Sequence, residues 1–232
     1  MIYFDGKALE SVAPVKIDDI RVSPILLTPI ARQRPIRFGS DFVRMSGGSR
    51  TAVITFALLT NDPHIRQRQL QSIVQWARSD EPKRLELPYW PNMYLEAILT
   101  QLPEPSVRQW WEGRLSLTFT TFDNPYWTSI EEKSAACGAA FFVNGSAPPL
   151  MQIKRTLDSA ASNQSYSDGV DTMTFSTIPA GNMVIDLNRQ TAAVGATSIM
   201  QYYTFNSHFI SPKNGTQTIS GSGAVYWRER WE

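Results

Sequence analysis

The sequence predicts a mainly β protein of two domains: an N-terminal β-sandwich-like domain carrying one α-helix and a β-hairpin, then a C-terminal antiparallel β-sandwich. Three features of the chain carry that prediction. Apolar and polar residues alternate through most segments. One segment alone has helical periodicity. Turn residues recur through the second half about every 8 to 12 positions, the spacing of short sandwich strands.

In the first half, Val15 and Ile17, then Ile20 and Val22, alternate with a break at Asp18-Asp19. Thr51 to Thr60 is an apolar, β-branched run that suits a strand buried on both faces. Leu115, Leu117 and Phe119 alternate with Ser116, Thr118 and Thr120, which predicts a half-buried strand. Leu85 to Leu87 and Tyr94 to Leu99 flank Pro88-Tyr89-Trp90-Pro91-Asn92, so two strands join at a proline-rich tip. The helix starts at Asn61-Asp62-Pro63, an N-cap acid followed by a proline at the first helical position. Its stripe is Leu70, Ile73, Val74 and Ala77, with Arg66, Arg68, Gln69 and Gln71 placed mostly on the other side. Ser79-Asp80-Glu81-Pro82 stops it.

Asp123-Asn124-Pro125-Tyr126-Trp127 ends the last strand of this half, and the polar run Ser129 to Ser134 reads as a linker. The expected domains are therefore 1–131 and 132–232. Beyond the linker no helical pattern occurs. Met151, Ile153 and Leu157 alternate with polar residues, as do Met173 and Phe175, and Met183, Ile185 and Leu187. Val225, Trp227 and Trp231 share one face of the closing strand, opposite Tyr226, Arg228 and Arg230. A strand is also expected from Tyr203 to Ile210. Three Asn-x-Ser/Thr sequons start at Asn144, Asn163 and Asn214. They read as turn chemistry, because Asn and Gly tolerate the positive φ of tight hairpins.

Composition excludes several classes. The net charge is +1 with no block of like charges, so the footprint of a nucleic-acid grip is missing. One cysteine, Cys137, permits neither an intramolecular disulfide nor a cysteine-rich metal site. The opening MIYFDGKALE lacks a basic region followed by an apolar core, and no apolar run reaches the roughly 18 residues of a membrane span. Synthesis in the cytoplasm is the expectation.

The search for chemistry finds little. His64 lies in the first helical turn and His208 in the expected strand from Tyr203; neither accompanies a nucleophile motif. Cys137 sits among small residues and reads as a packed thiol. The carboxylate pairs Asp18/Asp19, Glu131/Glu132 and Asp168/Asp171 fall in turn or linker contexts. Asp168-Gly169-Val170-Asp171 reads as a turn rather than a calcium loop. No enzyme, metal or cofactor is expected. Two surface readings remain. Tyr203 and Trp227, with Tyr202, Phe205 and Phe209, would either stack against a saccharide or fill the sandwich core. Arg32, Arg34 and Arg37, between Pro29 and the residues after Pro35, form a basic extended loop that either pairs with acids on a neighbouring copy or is solvated.

The order of parts is familiar: Phe4-Asp5-Gly6 at the start, the Asn61-Asp62-Pro63 helix, the hairpin, the Asn124-Pro125-Tyr126-Trp127 domain end, and a sandwich from Asn144-Gly145 to Arg228-Glu229-Arg230-Trp231. The chain resembles, over essentially its whole length, the distal tail (Dit) proteins of long, non-contractile bacteriophage tails. The resemblance implies a first domain that forms a ring of six copies continuing the tail tube. It implies a galectin-like second domain on the ring's periphery. Its partners would be further copies of itself, the tail tube protein, the tape measure protein and the tail-tip hub or tail-associated lysin protein. DNA would only pass through the lumen. The setting would be the virion, at the distal end of the tail or baseplate. No catalytic residue carries over. Arg32, Arg34 and Arg37, with Tyr89, Trp90 and Asn92 at the hairpin tip, are the expected ring or tube contacts. The competing reading is a carbohydrate-binding adhesin for host cell-wall saccharide.

Overall fold

The computed structural model describes residues 1–25, 28–33, 40–46, 48–102 and 113–232; for 28–33 and 40–46 it describes the backbone. Arg34 and Arg37 lie outside the described residues. The chain clusters into two compact units, Met1–Trp127 with Glu232, and Thr128–Trp231.

The first unit is built on one antiparallel sheet. Its strands are β1 (Tyr3–Phe4), β2 (Lys7–Ala8), β3 (Val15–Val22), β6 (Thr51–Leu58), β7 (Lys83–Glu86), β8 (Met93–Gln101) and β9 (Arg114–Thr121), in the order β2-β1-β7-β8-β9-β6-β3. A separate ribbon pairs β4 (Thr28–Gln33) with β5 (Ser40–Ser46). Arg32 therefore belongs to a paired strand, opposite Asp41, and not to the loop expected from its prolines. The break expected at Asp18-Asp19 is a register shift between Ile17 and Asp19 within one continuous strand. A bulge absorbs the extra residue without ending the pairing.

β6 corrects one expectation. It is not buried on both faces: Ala52, Ile54, Phe56 and Leu58 are buried, while Thr51, Val53, Thr55 and Ala57 are only partly covered. β-branched residues satisfy the pleat on either face, so composition alone overstates burial.

Helix α1 (Pro63–Ala77) begins where the cap predicts. The Asp62 carboxylate accepts the backbone N–H groups of His64, at 2.8 Å, and Ile65. It lies over the sheet through Ile73, Trp76 and Ala77. Trp76 meets Phe4 and Phe119 at 5.8 and 6.4 Å between ring centroids, and its indole N–H donates to the Lys7 carbonyl at 2.9 Å. Arg66 corrects the helical wheel. It is buried, on the same stripe as Ile73, and its guanidinium donates to the Thr60 carbonyl at 2.7 Å.

β10 (Trp127–Ser129) runs across the division between the units. The second unit holds β11 (Lys133–Ala136), β12 (Ala140–Val143), β13 (Ala147–Leu157), β14 (Ala161–Ser167), β15 (Thr172–Ile178), β16 (Gly181–Asp186), β17 (Thr191–Val194), β18 (Thr197–Ser198), β19 (Gly215–Thr218) and β20 (Ala224–Trp231). Strands β18-β17-β16-β13-β20-β11 form one antiparallel set, and the pairs β12-β19 and β14-β15 form the others. Both sets contribute to a single core: Ile153, Ile185 and Val225 from the first, Phe141, Tyr166 and Phe175 from the second. That is sandwich packing, with β12, β13 and β20 burying alternate residues.

The sequons take the positive φ expected of them but are not tight hairpins: Asn163 lies within β14, Gly145 bridges to Arg230, and Gly215 opens β19. Gly145 has φ +134, and a Cβ there would stand 2.4 Å from the Arg230 carbonyl oxygen, so only glycine fits. Asn163 itself has φ +51. The segment from Tyr203 to Ile210 is not a strand. It follows a 3₁₀ turn at Met200–Tyr202 and is irregular, held by Thr204 and His208 N–H groups donating to the Thr174 and Thr172 carbonyls. Glu229 is buried on the Trp227 face of β20, where it accepts from Lys133 at 2.8 Å and from the Asn144 N–H at 3.0 Å.

Candidate interaction surface

The tip of the β7–β8 hairpin is a rigid aromatic projection. The Trp90 N–H donates to the Leu87 carbonyl and the Met93 N–H to the Trp90 carbonyl, while Asn92 takes φ +63. Pro88 fixes the entry to the tip and Pro91 lies within it, between Trp90 and Asn92. Tyr89 stands out from it, 70% exposed, edge-on to Trp90 at 6.3 Å. Trp90 in turn stacks on buried Trp127, with centroids 4.6 Å apart and planes 17° apart.

Arg50 completes this array. Its guanidinium carbon sits 5.9 Å from the centre of the Trp127 ring. The backbone around it is fixed by Thr121, whose hydroxyl accepts from the Arg50 N–H at 2.9 Å. The residue is 4% exposed, and among the described residues neither Nε nor Nη1 has a hydrogen-bond partner. Burial pushes the guanidinium below its ordinary pKa, and the charge of Glu232 pulls the other way. A cavity of about 460 Å³ opens here, lined by Val22, Pro24, Ile25, Arg50, Trp90 and Trp127 among others, with Glu232 also on its wall. All of these residues belong to the first unit.

No family model matches the sequence and no curated protein does. Solved structures do. The chain superposes over 100% of its length on 98% of the SPP1 Dit (gp 19.1) protein, a paradigm of the hub adsorption apparatus in phages infecting Gram-positive bacteria, with TM-score 0.77 and 13% identity. The chain has a Dit-like fold. Two structures of the phage p2 baseplate in its activated conformation are matched more loosely. The one with Sr covers 92% of this chain and 89% of that one at TM-score 0.46 and 12% identity. The one with Ca covers 93% and 90% at TM-score 0.46 and 10% identity.

On this Dit-like frame the expected site residues fall in different places. Tyr89, Trp90 and Asn92 are gathered at the hairpin tip. Arg32 is in the β4–β5 ribbon. The expected saccharide face loses Trp227 to the core, while Phe205 stands fully exposed. Trp227 is 5% exposed and stacked on Phe141 at 4.6 Å inside the sandwich core. Tyr203 is half-buried, stacked on Phe209 at 5.0 Å and edge-on to Phe175. Burial, aided by the charge of Asp171, pushes its hydroxyl up. A buried indole offers no flat face to a sugar, so Trp227 is a core residue.

The candidate catalytic groups are separately engaged. His64 and His208 are exposed. Burial pushes the Cys137 thiol up against a smaller opposing pull from Arg155, which favours the unreactive protonated form. Asp18 pairs with Arg114 at 3.4 Å, Asp19 with Arg21 at 2.6 Å, and Glu132 with Lys154 at 3.2 Å. Asp168 accepts from the Val170 and Asp171 N–H groups and pairs with Lys213 at 3.5 Å, which makes it the anchor of the β14–β15 turn. Among the described residues no group of three His, Cys, Asp or Glu side chains converges on a metal-sized site. No helix among them is long and apolar enough to cross a membrane.

Proposed function

We propose that the chain is a structural component of a phage tail tip. In this reading the first unit closes with further copies, six in all, into a ring that continues the tail tube. The ring joins the tube protein on one side to the hub or tail-associated lysin protein on the other. The tape measure protein and then DNA pass through its lumen. The second unit is a peripheral galectin-like domain, and the chain is no enzyme.

One observation carries the reading: the correspondence with SPP1 Dit runs through both units, over the full length of the chain. Physical chemistry is compatible. A ring of one chain type needs a head-to-tail interface, for which sheet edges and extended ribbons such as β4–β5 are suited. Arg32, Arg34 and Arg37 and the Tyr89–Asn92 tip are proposed as its contacts. A net charge of +1 leaves little to retain passing DNA.

Immunogold labelling of virions with antibody raised against the chain tests the setting. Label at the distal end of the tail is expected. Label on the capsid, along the whole tail, or on no particle would overturn it.

A further inference from the structure

Arg50 is an unfinished interaction. A buried guanidinium normally has its donors matched, because an unpaired buried donor costs about 1–3 kcal/mol. Here no described residue matches Nε or Nη1, although the side chain is 4% exposed. Glu232 offsets part of the charge but accepts from neither atom. Both atoms are closed to water as they stand, but Arg50 lines the open cavity of about 460 Å³, so a turn of the guanidinium would bring them to an acceptor held there.

The lining says what kind of group arrives. Val22, Pro24, Ile25, Trp90 and Trp127 give apolar walls, and the charged residues between them are Arg50 and Glu232. Tyr89 stands exposed at the rim against Trp90. Tyr, Trp and Arg clustered around a desolvated pocket is the composition of protein–protein hot spots. We propose that this cleft is the docking site for an acidic side chain of a partner polypeptide, carried between apolar residues, whose carboxylate takes the free donors of Arg50. This rests on the reading of the chain as an assembly component and names the chemistry of one of its contacts.

The test uses the full chain and a minimal probe, the peptide Ac-Leu-Glu-Leu-amide, against its neutral twin Ac-Leu-Gln-Leu-amide. The readout is the Arg50 Nε–H resonance in a ¹H–¹⁵N spectrum. The acidic peptide is expected to shift that resonance saturably, and the neutral one to bind roughly tenfold more weakly or worse, the loss of one charge-assisted hydrogen bond. Glu232→Gln, which removes the competing negative charge, is expected to tighten the acidic peptide. Followed at the indole N–H of Trp90, which lines the same cleft and survives in both variants, Arg50→Gln abolishes the preference for Glu over Gln, while Arg50→Lys keeps part of it. No saturable shift, or equal binding of the two peptides to the unaltered chain, overturns the proposal whatever the variants do. Inorganic phosphate saturating the same resonance as readily as the acidic peptide also overturns it, because the cleft is then a small-anion site. These outcomes are read on the isolated chain, so they stand apart from the success or failure of ring assembly.

Discussion

Trp90 stacks on Trp127 at 4.6 Å, and this contact ties the hairpin tip to the buried end of the first unit. The sequence places the two 37 positions apart, on either side of β8 and β9. The stack also gives Arg50 its platform.

Stability follows from that arrangement. Trp127→Ala is expected to cost about 3–5 kcal/mol, the range for a buried tryptophan. Trp90→Ala should cost less, because Trp90 is only half-buried. A double-mutant cycle read by urea unfolding should return about 0.5–1.5 kcal/mol of coupling between them. Strictly additive losses would mean the stack contributes nothing.

Trp227 makes a sharper case. Its indole N–H is buried with no acceptor. Trp227→Phe removes that unpaired donor along with some volume, so the two effects oppose each other. The net change is expected to stay within about 1.5 kcal/mol, whereas Trp227→Ala should cost about 3–5 kcal/mol. Thermal unfolding of both variants checks this. A loss for Trp227→Phe as large as for Trp227→Ala would show that the indole nitrogen has a role of its own.

Asp168 predicts an acid limb of stability. Its burial alone would raise the carboxyl pKa, but the N–H groups of Asp171 and Val170 and the Lys213 ammonium outweigh that and hold it below the ordinary carboxylate value. A depressed folded-state value stabilises the fold above the unfolded-state pKa and ceases to do so as pH falls through the folded value. Wild type should therefore exceed Asp168→Asn in stability at neutral pH, and the gap should close below about pH 4, the unfolded range of a carboxylate. Urea unfolding from pH 3 to 7 measures it. A gap independent of pH would assign the effect to turn geometry instead of charge.

The outer residues should behave in the opposite manner. Tyr89→Ala is expected to leave stability within about 0.5 kcal/mol, as exposed substitutions do, and to weaken self-assembly. Charge reversal at Arg32 and Arg34 is also expected to weaken self-assembly. Sedimentation of the variants separates the effects, and an undiminished assembly would remove that element from the interface.

Much of the fold was legible because it follows simple periods. The Asp62 cap, the alternation of β9 and the hairpin around Pro88 and Pro91 each read directly from residue type and spacing. Three buried charges did not, and they share a cause. Arg50 continues the buried phase of Ala52, Ile54 and Phe56; Arg66 lies seven residues before Ile73; Glu229 continues the phase of Val225 and Trp227. Each sits where an apolar residue belongs, and a reading that sorts residues by polarity assigns them to the wrong face. Extending the phase regardless of residue type would have found all three. The saccharide face loses Trp227 for a related reason: the residue lies in phase with Val225, and its burial follows from that phase. The segment from Tyr203 to Ile210 misled because its aromatics carry strand propensity while its backbone pairs with β15 only at scattered points.

Self-assembly is the central claim, and native mass spectrometry of the purified full chain tests it most directly. The expected spectrum shows a single closed multiple of the chain mass, six copies, either alone or on addition of the tube and hub proteins. A monomer at every concentration, unchanged by those partners, would contradict the account.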